Sequence, residues 1–182
     1  MTWTAFHRRG EVLRTVVETV DDRRDGLLPL DLPGVAETFR DELDLIAALS
    51  LRWHTRLSGN VERALVDEPL DLETAVAAAW QRTNAELPGI RMVLDHYSAE
   101  PSDPEMAAAL TRAREKEWAG LAVAAGLASD SGAAAAQAGR QVVERSRATA
   151  PTDQAVTQGV AAPADEPDTP SLVDRIKAVI AA

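Results

Sequence analysis

Apolar residues recur at Val35, Phe39, Leu43, Ile46, Leu49, Trp53, Leu57, Val61 and Leu65. Every step is three or four residues, the repeat of one face of an α-helix. The pattern predicts a central helix of about thirty residues, roughly 45 Å long at 1.5 Å per residue. A rod of that length is buried only by other helices. Ser58, Gly59 and Asn60 are poor helix formers and predict a kink or a local break near its end.

The helical period holds on either side. Phe6, Leu13, Val16, Val17 and Val20 share one side of a first helix from about Thr4 to Arg24. Asp25 to Gly34 then carries two prolines and two glycines, which forbid a regular helix. Leu27, Leu28, Leu30 and Leu32 lie in that stretch, so a loop laid across the end of the helices is expected.

Asp71 caps a third helix with Leu72, Ala75, Val76, Ala79, Trp80 and Thr83 facing inward. Pro88-Gly89 cuts the run, and a short helix to about Ser98 follows with Ile90, Val93, Leu94 and Tyr97. Ser102 or Asp103 caps the next helix, with Pro104 in its first turn. Its expected inner face is Met106, Leu110, Ala113, Trp118, Leu121, Ala124 and Ala125, ending near Ala128. A final helix from Ser131 to about Arg147 is mostly alanine, with Val142 and Val143 its larger apolar residues. It offers little area to bury, so weak docking is expected.

The fold class read from this is all-α: an antiparallel helical bundle of four main helices plus a short extra one. Three segments follow. Residues 1–147 form the bundle domain. Residues 148–170 are rich in Pro, Ala, Thr, Gln and Asp and read as a disordered linker. Residues 171–182 read as a tethered amphipathic helix, capped by Ser171, with Leu172, Val173, Ile176, Val179 and Ile180 on one face. A helix that short is not stable alone in water and needs a surface to bind. A tether ending in an amphipathic helix resembles the encapsulation tails that send enzymes into bacterial shells or onto scaffolds, over Ser171–Ala182 alone.

Composition narrows the function classes. Cysteine is absent from the 182 residues, so disulfides and thiolate chemistry are out, in keeping with a reducing cytoplasm. Arg8, Arg9 and Glu11 stand where a signal peptide needs its apolar run. Net charge is −10, a poor match for nucleic acid, which is bound by neutralising phosphates. Membrane binding is disfavoured too, since the tail helix sets only Arg175 and Lys177 against Asp174.

Catalytic signatures fail one by one. The di-iron pattern needs Glu-x-x-His, but Thr4, Leu51 and Val93 stand three residues before His7, His54 and His96. No Gly-x-Ser-x-Gly, Gly-x-Gly-x-x-Gly or Walker-type lysine occurs. Neither metal nor cofactor is expected. The one candidate cluster centres on His54, beside Arg52, Trp53 and Arg56, with Asp41, Glu42 and Asp44 two to three turns earlier as its acids. The plainer reading sets His54 on the rim of the core with a partner. Trp53, Trp80 and Trp118 each fall on an inner face, which predicts a shared aromatic layer or an aromatic-lined pocket.

The expectation is a non-catalytic interaction or regulatory protein. It docks on a partner protein, folds back over a groove of its own bundle, or pairs with a second copy as a homodimer, through Leu172, Val173, Ile176, Val179 and Ile180. The alternative is a small-ligand or metal-binding bundle, an enzyme included, with its site at Arg52, Trp53, His54, Arg56 and Trp80.

Overall fold

Seven α-helices and no strand make up the described residues of the computed structural model, 3–149. They are α1 (Trp3–Arg23), α2 (Val35–Thr38), α3 (Glu42–Asp67), α4 (Leu72–Glu86), α5 (Pro88–Ala99), α6 (Pro104–Ala124) and α7 (Ala133–Ala148). The expected linker, apart from its first two residues, and the amphipathic segment 171–182 lie outside the described residues. No helix among the described residues is long and apolar enough to cross a membrane.

The apolar stripe of the central element holds. Val35, Phe39, Ile46, Leu49, Trp53, Leu57 and Val61 are buried, and Leu43 and Leu65 pack at the edge of the core. Its helix is not continuous, however. Phe39 is extended, at φ −110° and ψ 134°, and separates α2 from α3. The break is a helix start: the Asp44 N–H donates to the Asp41 carboxylate at 2.7 Å, an N-cap. Glu42 and Asp44 follow in the first turn, where the helix dipole favours acids. The apolar spacing hid the break because the short turn of helix and the extended residue together return Leu43 to the same side.

The expected break at Ser58-Gly59-Asn60 does not occur, and α3 runs through it to Asp67. Asn60 is buried and spends its amide across the interface. Its Nδ2 donates to Thr83 Oγ1 at 3.0 Å and to Glu86 Oε2 at 3.1 Å, both on α4. Bonds to a neighbouring helix, about 1 kcal/mol each, offset a propensity deficit of about 2 kcal/mol over the three residues.

Leu28 and Pro29 of the leucine-rich loop are buried and Leu32 half-buried, so the loop does cover the core. Leu27 and Leu30 point outward. Leu87 alone separates α4 from α5, which starts on Pro88. The next residue, Gly89, lies where a Cβ would collide with the Val20 carbonyl, and its N–H donates to Asp21 Oδ1 at 2.8 Å. The start of α5 therefore seats directly on the end of α1.

Asp103 caps α6, accepting from the Met106 N–H at 2.8 Å. That helix ends at Ala124, earlier than expected, on the left-handed Gly126 (φ 71°). The α6–α7 and α3–α4 pairs are the most extensively packed. Weak docking of α7 was the wrong inference. Gly139 has its missing Cβ inside the Trp118 carbonyl, so the two backbones touch. Ala119, Ala122 and Ala135 fill the same close interface. Small residues trade buried area for proximity.

Candidate functional site

The stripe Met106, Leu110, Ala113, Leu121 and Ala124 on α6 passes through position 117, and the residue there is glutamate. Glu117 is buried, its side chain only 6% exposed, on a face otherwise apolar. It turns toward α3. Trp53 Nε1 donates to its Oε2 at 2.9 Å, and His54 Nε2 approaches the same oxygen at 3.2 Å. Arg91 of α5 brings Nη1 to 3.7 Å from Oε1. That guanidinium also lies 4.9 Å from the centre of a Trp53 ring and pairs through Nη2 with Asp95 at 2.8 Å. Arg147 of α7 closes the chain on Asp95 at 2.9 Å.

Burial pushes the Glu117 carboxyl up. The hydrogen bond from His54, the charges of Arg91 and His54, and the bond from Trp53 together outweigh it and hold the group below its ordinary value. Glu117 is thus a carboxylate inside the core. Both ring nitrogens of His54 face acceptors. Nδ1 lies 2.7 Å from the Ser50 carbonyl and Nε2 faces Glu117.

The structure divides the candidate set. Trp53, His54 and Trp80 gather at or beside this cluster, Trp80 standing edge-on to Trp53 with ring centres 6.1 Å apart. Its Nε1 is buried without a partner among the described residues, and Arg147 lies over its ring at 5.4 Å. Arg52 and Arg56 turn away, to a shallow cleft with Arg63 and Glu86. There Arg56 pairs with Glu86, whose carboxyl is lowered by that bond first and by Asn60 second.

The expected acids are spent elsewhere. Asp41 caps α3, Asp44 accepts from both Nη atoms of Arg9 at 3.0 and 3.2 Å, and Glu42 accepts from Ser102 Oγ at 2.9 Å. Trp118 does not join an aromatic layer. It is half-buried, with Arg114 and Arg140 at 5.6 and 5.8 Å from a ring centre, because its neighbour Glu117 takes the inward phase. The missed residues are Glu117 and Arg91. Their signal was a charge falling on an apolar stripe.

Two openings flank Glu117. Between α5, α6 and α7 lies a cleft of about 390 Å3 in which Arg91, Arg114, Arg140 and Arg147 face Asp95, Glu115, Glu117 and Glu144, so its charges balance. Between α3 and α6 runs a groove of about 680 Å3 with mainly apolar walls. Among the described residues, no three His, Asp or Glu side chains converge to hold a metal ion. Comparison of the chain with protein-family models, curated proteins and solved structures returned no match in any of the three.

Proposed function

We propose that the protein is a non-catalytic helical interaction or regulatory protein. It docks on a partner protein, or on a second copy, through the apolar face of Ser171–Ala182. Its folded part is read as an antiparallel bundle built on the α3–α4 and α6–α7 pairs.

The observation that supports this reading is the mutual pairing of the polar groups around Glu117. Glu117 Oε2 is taken by Trp53 and His54, and His54 Nδ1 by a backbone carbonyl. These bonds satisfy the buried carboxylate, as a structural polar group in a core is satisfied. What the sequence leaves unspent is the apolar stripe of Leu172, Val173, Ile176, Val179 and Ile180.

Peptide-resolved hydrogen exchange on the full chain tests this, at low and at high concentration. Fast exchange over Leu172–Ile180 at low concentration is expected, with protection appearing on self-association or on adding the partner. Protection already complete at low concentration overturns the reading.

A further inference from the structure

The groove between α3 and α6 has the form of a binding site, and its shape is set by which residues are small. Leu57, Val61 and Leu65 line one wall, with Leu121 and Ala124 opposite. Gly120 stands between them, and nothing lies within 4 Å of where its Cβ would be. The opening spans positions 50 to 65 on α3, about 22 Å at 1.5 Å per residue, and 113 to 124 on α6, about 16 Å. Its volume of about 680 Å3 falls within the roughly 300–1,000 Å3 typical of small-molecule clefts.

Ser50, His54, Ser58 and Glu62 follow one another every four residues along the α3 side, whereas the charged residues of α6, Lys116 and Glu117, belong to the end nearer the start of that helix. Lys116 is exposed and has no carboxylate partner among the described residues. Glu117 is already matched by His54 and Arg91, so the Lys116 ammonium is the uncompensated charge at that end. Glu62 lies in the other half, between Val61 and Leu65, and sets a negative charge there. A long apolar channel, positive at one end and negative toward the other, selects for direction as well as for grease.

We propose that this groove binds a single-chain amphiphile with an anionic head, a long-chain carboxylate, its head on Lys116 and its chain along Leu57, Val61 and Leu121 toward Leu65. This function is independent of Ser171–Ala182 and adds a ligand site to an interaction protein. Trp53 lies directly behind the groove wall and reports occupancy, since its indole bonds the same Glu117 that lines the groove.

The test titrates full-length protein with dodecanoate, dodecanol and dodecylammonium below their micelle concentrations, read by calorimetry and by tryptophan fluorescence. Two variants accompany the native chain. Gly120→Leu fills the groove at an exposed helix position, so it folds at least as well as the native chain. Lys116→Glu reverses the head charge.

Saturable one-to-one binding of dodecanoate is expected, weakened at least tenfold by G120L and several-fold by K116E. Dodecanol is expected to bind with an affinity indifferent to K116E. Three results would each overturn the proposal. They are non-saturable uptake, binding that survives G120L, and dodecylammonium bound as tightly as dodecanoate. If G120L shifts the oligomeric state while dodecanoate leaves native protein unaffected, the groove is a protein-docking face and the ligand proposal is wrong.

Discussion

Trp53 Nε1 lies 2.9 Å from Glu117 Oε2, a hydrogen bond between residues 64 positions apart that joins α3 to α6 through the core. Around it the carboxylate also holds His54 at 3.2 Å and faces Arg91 at 3.7 Å. Three elements therefore meet at one buried charge.

Removing that charge strands its partners. Glu117→Ala leaves the Trp53 indole N–H buried without its acceptor and leaves Arg91 with Asp95 as its one carboxylate among the described residues, which costs about 3 kcal/mol. Glu117→Gln keeps an acceptor for Trp53 and costs about 1 kcal/mol. Urea unfolding of both variants measures the gap. A loss below about 0.5 kcal/mol in Glu117→Ala would show the cluster to be energetically idle.

Acid should act through the same residue. The folded Glu117 carboxyl sits below its ordinary value of 4.5, so below that value the unfolded chain takes up protons first. Its contribution is fully present above pH 4.5 and is lost as pH falls through the lowered folded value. Asp44, lowered first by its bond from Arg9, adds to the same acid limb. Midpoints of chemical unfolding between pH 7 and pH 3 should fall more gently in Glu117→Gln than in the native chain. Parallel curves would contradict the assignment.

Two glycines separate packing from propensity. Gly139→Ala puts a methyl into the Trp118 carbonyl and must push α7 off α6, at roughly 2–4 kcal/mol. Gly59→Ala meets nothing within 4 Å inside α3 and should stabilise by up to about 1 kcal/mol. Thermal melts of the two variants should move in opposite directions. Equal shifts would mean that α6 and α7 do not touch at the backbone.

The start of α3 rests on one side chain. Asp41→Ala removes the acceptor for the Asp44 N–H and should cost about 1 kcal/mol, while Asp41→Asn retains most of it. Helical content by circular dichroism should fall little in either case. The expected readout is the unfolding midpoint, and an unchanged midpoint in Asp41→Ala would rule the cap out.

Local signals in the sequence suffice for the helices of residues 3–149, for where most of them lie, and for the buried face of α3 and α4. Those are local matters: a period of 3.6 residues, Asp71 and Asp103 as caps, Pro88 and Pro104 as starts. The sequence also put Trp53 and Trp80 on inner faces and His54 on the rim of the core with a partner.

Only the tertiary structure decided what those residues face. The partner of His54 is Glu117, from a helix about sixty residues away, and no spacing rule connects the two. The acids expected beside it, Asp41 and Asp44, are used by a helix cap and by Arg9. Arg52 and Arg56, each two residues from His54 and so about 200° round the helix from it, turn to the opposite side. Asn60 reads as a helix breaker until α4 supplies Thr83 and Glu86 to bond it. Helix formation depends on a residue's neighbours along the chain. Pairing of buried polar groups depends on neighbours across space, and those exist only once the helices have packed.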